Sequence, residues 1–483
     1  MGAKMIQRVL VANRGEIAIR IFHTLREMGI ATVAVFTDED EAAFHARSAD
    51  QAYHVGNYLD IESLVDAARM THADAVHPGY GFLAENAEFA KAVAEAGLIL
   101  IGPREGTIRS MGDKLEAKQI MKNAGVPTLP TWERAPPADQ FPILVKAVGG
   151  GGGKGMRRVE TPDELDHALK AAARESGKAF GDDRVFIEKY IEKPRHVEIQ
   201  ILGDSHGSYV HLFERECSIQ RRHQKIIEET PSPAIDPEKR EAMGAAAVAA
   251  ARAVGYLGAG TVEFILDRAG DFCFLEMNTR LQVEHPVTEW TTGTDLVREQ
   301  IRIANGDRIS FTQEDLRQTG HSIECRIYAE DPENEFRPAT GSVEVYRPPD
   351  GPGIRLDSGI EEGSVIGFQY DPLLAKLITW GPDRDASIAR MVRALHDFVL
   401  LGVRNNIDFL CRVVSSPAFR AGDIDTQFLE RHSEFSEPEP ERIPVEALVA
   451  ASVGTSGERS SAGTPTSPTF ADVWQTRESW RNT

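Results

Sequence analysis

The sequence predicts a mixed fold of several domains, α/β at its start and α+β beyond. Three observations carry this. Strand and helix patterns alternate from Arg8 to Ile101. A glycine run follows an apolar strand near Val148, and hairpin-forming strands come after it. Beyond His321 short strands separated by Gly/Pro turns take over. The 483 residues fit two to four domains at about 150 residues each.

Composition narrows the class. Hydrophobic residues make up 41% and charged residues 27%, so wholesale disorder is excluded. Lys+Arg of 54 against Asp+Glu of 74 gives a net charge of −20. That balance argues against a nucleic-acid or membrane-surface protein, though not against a small anion held by a local basic cluster. Four cysteines lie far apart with no CxxC pair, which suits a reducing cytoplasm. No apolar run approaches the roughly 18 residues of a membrane span, and the first residues lack a signal-peptide layout. Ile6 stands where a myristoylation signal needs Ser or Thr. A soluble cytoplasmic enzyme is expected.

The elements follow in order. Arg8 to Ala12 is apolar and β-branched, and a turn at Asn13-Arg14-Gly15 follows. Ile17, Ile21, Leu25 and Met28 then repeat at helical spacing, with Gly29 as the stop. Thr32 to Phe36 is the next strand, and Ala75-Val76 and Leu98 to Ile101 are further ones. This is βαβ patterning, without a G-x-G-x-x-G turn. From Gly112 a helix is predicted with Asp113 as N-cap and Gly125 as its end. A Pro-rich stretch, Pro127 to Pro142, leads to the strand Ile143 to Val148. A helix is predicted over Asp385 to Val399. Glu434 to Thr469 is rich in Pro, Ser, Thr, Gly and Glu and reads as a flexible tail. Phe470, Trp474 and Trp480 near the end could dock. No internal repeat is present.

Two stretches carry chemistry. GGGGGKG, Gly149 to Gly155, follows the strand bearing Lys146; glycines let consecutive N–H groups cradle a phosphate, and Lys146 and Lys154 add charge. It lacks the closing G-K-[ST] of a Walker loop. In GTVEFILDRAGDFCFLEMNTRLQVEH, a two-residue turn at Ala269-Gly270 pairs Glu263 with Glu276. Opposed carboxylates repel, unless a hard cation sits between them. Asn278 adds an oxygen, and Phe272 and Phe274, taken on the same face, keep it from being simply wet. If the chain stays extended, Arg280, Gln282 and Glu284 continue that edge, which suits an oxyanion beside a general base.

Two more strands repeat the device. His196, Glu198 and Gln200 alternate with Val197, Ile199 and Ile201; Glu324 and Arg326 alternate with Ile323, Cys325 and Ile327. Arg221 to Lys225 is a small basic patch in an acidic protein, with a solvated loop as an equal alternative. The cysteines read as core residues, and His77 as structural.

With these residues in view, the sequence resembles the biotin carboxylases, the ATP-grasp component of biotin-dependent carboxylases. VANRGEIAIRI, HPGYGFLAEN, MGDK, VKAVGGGGGKGM, IEKYI, PRHVEIQ, RRHQKIIEE, GTVEF, LEMNTRLQVEHPVTE and ECRIYAEDP occur in this order between Lys4 and His432. The resemblance implies a Rossmann-like (pre-ATP-grasp) N-terminal domain over 1–112. It implies an ATP-grasp domain over 113–319, with a mobile lid at about 128–190. A biotin carboxylase C-terminal domain would fill 320–432, leaving 433–483 as tail.

It also implies roles. ATP would be held by Lys114, Lys146, Gly152 and Gly153, with Glu188, Lys189, Tyr190 and Ile191 at the adenine and His196, Gln220 and His223 close by. Glu263, Glu276 and Asn278 would bind Mg²⁺ (or Mn²⁺). Lys225, Arg280, Gln282 and the Val283 backbone would hold bicarbonate, and Glu284 would be its base. Arg326 would stabilise the enolate of biotin. Biotin would be a substrate on a separate biotin carboxyl carrier protein, since no A-M-K-M site is present; Met243 is followed by Gly244. Carboxyltransferase subunits would be further partners, and a homodimer is expected.

The sequence departs from the family pattern in the connection Pro127 to Phe141, shorter by about ten residues, a typical helix length. Val148 also replaces a small residue. Asp472 to Arg481 resembles a segment that follows this domain in longer acyl-CoA carboxylase α subunits, so an acetyl-CoA or other acyl-CoA carboxylase is the expected complex, with pyruvate carboxylase as alternative. Another ATP-grasp ligase, or an inactive scaffold, are the competing readings; the filled charged positions speak against both.

Overall fold

The computed structural model describes residues 5–149 and 155–437. The expected phosphate contacts at Gly152, Gly153 and Lys154, and the tail tryptophans, lie outside the described residues.

The N-terminal βαβ pattern forms a parallel five-stranded sheet in the order Gln51–His54, Ala31–Phe36, Arg8–Val11, Ala75–His77, Ile99–Leu100. Val9, Leu10 and Val11 are buried on both faces, as a parallel strand requires. At its end the chain turns sharply into the helix Gly15–Glu27, with Gly15 at φ 63. Asn13 Nδ2 donates to the carbonyls of Pro78 and Tyr80, both at 2.8 Å. A Cβ on Gly79 would lie 2.8 Å from that nitrogen, so only glycine admits this pin. His77 is buried and accepts from Gly79 N, the structural role its neighbours suggested.

An eight-stranded antiparallel sheet spans the expected domain boundary near 319. Its order is Phe272–Asn278, Gly258–Leu266, Arg195–Gly203, Tyr209–Arg221, Gln224–Thr230, His321–Tyr328, Leu373–Gly381, Ile354–Ser358. One face packs Val197, Ile199 and Ile201 under the helix Pro237–Ala253, and Ile323, Cys325 and Ile327 under the helix Arg384–Asp397. The other face carries the charged residues.

A four-stranded sheet, Thr131–Trp132, Val185–Lys189, Ile143–Ala147 and Arg157–Val159, is covered by the helix Leu165–Phe180. The stretch expected to be short holds only the strand Thr131–Trp132 and a 3₁₀ turn at Ala138–Gln140. The helix expected from Gly112 is Lys114–Asn123; Asp113 accepts from Leu115 N and Glu116 N, and a separate helix, Glu105–Gly112, ends at that cap. The fold runs past the expected start of the tail: Ser433–Ser436 is a 3₁₀ turn whose Phe435 stacks on Phe428. Among the described residues no helix is long and apolar enough to cross a membrane.

Candidate active site

A cleft of 1710 Å³ lies between the charged face of the large sheet, the small sheet and the N-terminal glycine turn. Every described residue to which a role was assigned borders it, except Glu284, which is fully buried.

The hairpin at its floor has the expected pairing for a different reason. Glu263 does face Glu276. The turn, however, is Arg268-Ala269-Gly270, closed by Asp267 N donating to Asp271 O. That extra residue shifts the inner register to Phe264↔Phe274, and a β-bulge at Leu275 restores it at Glu276. The bulge corrects the face assignment too. Phe272 and Phe274 pack with Phe264 in the core opposite the cleft, whereas Leu275, Glu276 and Asn278 line it.

The strand ends at Asn278, so Arg280, Gln282 and Glu284 do not continue an extended edge. The chain bends and Glu284 becomes the N-cap of the helix His285–Thr292. The bend still gathers the side chains. Arg280 reaches Asn278 Oδ1 (3.1 Å), Gln282 Oε1 (2.9 Å) and Glu85 Oε2 (2.9 Å). Asn278 and Gln282 both donate to Glu263 Oε1, at 2.7 and 3.1 Å.

Lys225 is the hub. Its Nζ lies 2.5 Å from Glu198, 2.9 Å from Glu263 and 2.7 Å from Glu284. Burial alone would lower its pKa, but these carboxylates hold it well above the ordinary lysine value. Burial would likewise raise Glu284, yet Lys225, Arg326 and Arg215 hold it well below the usual carboxylate range. Arg326 bridges Glu284 Oε2 (3.0 Å) and Glu228 Oε1 (2.6 Å). The basic patch Arg221 to Lys225 forms the tip of a hairpin: Arg222 and His223 take positive φ in the turn, and Gln220 pairs with Lys225. Gln220 donates to His196 Nδ1 at 2.8 Å, and His196 Nε2 contacts Glu263 at 2.7 Å.

At the other end, Lys146 projects from the small sheet to Glu188 Oε2 at 3.1 Å, and Lys118 takes the other oxygen. Burial lowers both, Lys146 to about 8 and Lys118 to about 7, with the charge of Lys114 adding to the first and that of Lys146 to the second. Two ammonium groups share one carboxylate, which leaves a positive charge for an anion. Lys114, Lys189, Tyr190, Ile191 and His223 border the same end.

Glu263, Glu276 and Asn278 fit a hard divalent cation by donor chemistry. Among the described residues no hydrogen bond reaches the Glu276 carboxylate, while Glu263 is held by Lys225, His196, Asn278 and Gln282. A metal would exchange with some of those donors.

Sequence reasoning missed Arg215, Glu228, Lys118 and Lys376. Arg215 is completely buried and binds Glu198, Gln200, Thr261 and Thr288.

The chain matches the biotin carboxylase N-terminal domain over residues 5–108. It matches the carbamoyl-phosphate synthase L chain ATP-binding domain over 113–312, and the biotin carboxylase C-terminal domain over 324–431. It is 50% identical over 439 residues to a biotin carboxylase of Nostoc sp., covering 88% of this chain and 98% of that protein. It is 46% identical to the mitochondrial methylcrotonoyl-CoA carboxylase subunit alpha of Rattus norvegicus, covering 93% of this chain but 65% of that one. The crystal structure of the biotin carboxylase domain dimer of Hydrogenobacter thermophilus 2-oxoglutarate carboxylase, in complex with MgADP, ADP and bicarbonate, superposes with a TM-score of 0.87. It is 45% identical and covers 90% of this chain and all of that one.

Proposed function

Because the chain belongs to the biotin carboxylase family, we propose that it carboxylates biotin on a separate carrier protein, using ATP and bicarbonate, as a subunit of an acetyl-CoA or related acyl-CoA carboxylase. The observation that carries the reading is Glu284, ionised and buried between Lys225 at 2.7 Å and Arg326 at 3.0 Å. A carboxylate fixed between two cations beside a cleft suits a base for a small anionic acid. The carrier and carboxyltransferase are the expected partners, the protein works as a homodimer, and its four free cysteines suit the cytoplasm.

The residues divide the work. Lys114, Lys146 and the glycine loop hold the phosphates, and the Glu188 to Ile191 segment, with His196, Gln220 and His223, holds the nucleoside end. Glu263, Glu276 and Asn278 would hold Mg²⁺, which neutralises charge on the nucleotide phosphates. Bicarbonate enters among Lys225, Arg280, Gln282 and the Val283 N–H, parting Lys225 from Glu284. Glu284 takes its proton, and the oxygen attacks the γ-phosphate to give carboxyphosphate and ADP. Carboxyphosphate breaks to CO₂ and phosphate. Phosphate takes the ureido N–H proton of biotin while Arg326 stabilises the enolate oxygen, and the nitrogen attacks CO₂.

The test is ADP release from Mg·ATP with bicarbonate, with and without free biotin. Biotin-stimulated release is expected; hydrolysis indifferent to biotin would point to another ATP-grasp acceptor. Adding the carboxyltransferase with candidate acyl-CoAs or pyruvate then identifies the final acceptor.

A pH dependence follows from Lys146. Its ammonium, lowered to about 8, is lost as pH rises through that value, and phosphates bind the charged form. ATP binding to the free protein is expected to weaken about fivefold from pH 8 to pH 9. Lys146→Met should flatten this profile in a calorimetric titration; an unchanged profile would remove Lys146 from the phosphate site.

A further inference from the structure

The turn Gln282-Val283-Glu284 is held from behind by two groups that touch no substrate. Lys376 Nζ donates to the carbonyl of Val283 at 3.0 Å. His285 Nδ1 lies 2.8 Å from the carbonyl of Gln282, so the ring proton sits on Nδ1. Both side chains are fully buried. Burial, together with the charges of Lys376, Arg20 and Arg355, keeps His285 neutral.

We infer that Lys376 and His285 are together positioning residues for the bicarbonate site: His285 holds the peptide that carries the Val283 N–H and Lys376 the peptide that follows it, so that the turn keeps the Val283 N–H facing the cleft. The inference rests on the reading above. Its physical basis is the planarity of the peptide unit, in which the C=O and the following N–H point in opposite directions. Holding the Gln282 carbonyl toward His285 aims the Val283 N–H the other way, and Val283 lines the cleft. Holding the Val283 carbonyl toward Lys376 prevents the next peptide from flipping.

The sheet explains why this turn is so well placed. Lys376 is the cross-strand neighbour of Arg326. Adjacent strands therefore present two cations to consecutive residues of the turn, Arg326 to the Glu284 carboxylate and Lys376 to the Val283 carbonyl. The charge of Lys376 is balanced by Glu16 Oε2 at 3.2 Å and Asp357 at 3.7 Å. Among the described residues the Glu16 carboxylate has no side-chain partner besides this lysine. A buried lysine used only to neutralise Glu16 would not need to reach a backbone carbonyl as well.

The experiment varies bicarbonate at saturating ATP and biotin in the full-length protein. Lys376→Met is expected to raise the bicarbonate KM about 10- to 100-fold, the loss of one hydrogen bond from a charged donor. The ATP KM should stay within about twofold, a split that general damage to the fold does not produce. Since Lys376→Met strands the Glu16 charge, Lys376→Met/Glu16→Gln is measured beside it. A bicarbonate KM that stays raised in the double variant supports positioning. A bicarbonate KM restored to wild type there, or unchanged in the single variant, overturns it. Wild-type protein without bicarbonate-dependent ADP release would instead overturn the reading of function, and this inference with it.

Discussion

Glu284→Gln is expected to lower bicarbonate-dependent ADP release about 10²- to 10⁴-fold while the protein stays folded. The amide has the shape of the carboxylate but the wrong polarity. Glu284 offers Oε1 to Lys225 and Oε2 to Arg326, both donors. An amide has one oxygen to give, so its NH₂ must face a cation, and that oxygen is far too weak a base to take the bicarbonate proton. The fold survives because neither cation is stranded: Lys225 keeps Glu198 and Glu263, and Arg326 keeps Glu228. Glu284→Asp separates the two contributions. It keeps the charge but withdraws it by one methylene, so it should lose rate with the pH profile retained. ADP release in Glu284→Gln within about tenfold of wild type would show that the base is elsewhere, since positioned general bases contribute 10²-fold or more.

The charge arrangement also sets how acid acts on the folded protein. Glu263 and Glu284 are held below the ordinary carboxylate range by Lys225 and their other cations, against the cost of burial. Their contribution to stability is present above the ordinary carboxylate pKa and is lost as pH falls through the depressed values. Glu228, raised by burial to about 7 despite Arg326, acts in the opposite sense. It binds its proton more tightly when folded, so its contribution weakens as pH rises from the ordinary carboxylate range through 7. One buried cluster therefore carries opposing pH dependences, the pairs centred on Lys225 lost in acid and Glu228 acting against them.

Much of this site was legible from side-chain alternation. In Arg195–Gly203 and His321–Tyr328 a period of two separates the charged face from the core, and both strands obey it. The hairpin shows how such reasoning succeeds and fails together. Alternation from Glu263 and from Glu276 points both to the cleft, but the number of residues in the turn and the presence of a bulge depend on backbone geometry that composition does not encode. A three-residue turn and one bulge cancel at Glu276, whereas Phe272 and Phe274, between turn and bulge, fall on the other face. Beyond Asn278 the extended pattern gave the right group of side chains by the wrong path. Gln282 meets Glu263, and Arg280 meets Gln282, because the chain bends back, and Glu284 sits at the N-cap of a helix. Arg215 stayed hidden for a different reason. Its strand, Tyr209–Arg221, is interrupted by register shifts near Glu216 and Ile219 and by Phe213 at φ 66, so alternation fails there. Its partners are 15 to 73 residues away along the chain, a separation no local pattern reports.

Arg215→Met is expected to destabilise the protein by about 3–5 kcal/mol, the usual result of removing one partner from a buried ion pair. The guanidinium has no exposed surface and spends its donors on four side chains: Glu198 at 2.6 Å, Gln200 at 2.7 Å, and the hydroxyls of Thr261 and Thr288 at 3.0 Å each. Methionine fills much of the volume and answers none of these groups. Glu198 would keep only Lys225, and burial already raises its pKa, so it would take up a proton. Protonated Glu198 weakens the hold on Lys225 and leaves that lysine leaning further on Glu263 and Glu284, so activity should fall along with stability. Arg215→Met/Glu198→Gln tells the two apart. It removes the stranded charge and should recover part of the lost stability in urea unfolding, yet it leaves Lys225 short of one carboxylate and should not recover the rate. Equal stability of the single variant and wild type would mean that Arg215 is no keystone of the charged face. Recovery of both stability and rate in the double variant would mean that its only task is to neutralise Glu198. The expected pattern, stability partly regained and rate still low, makes the same buried ion pair responsible for two things: the integrity of the sheet's charged face and the placement of the lysine at its centre.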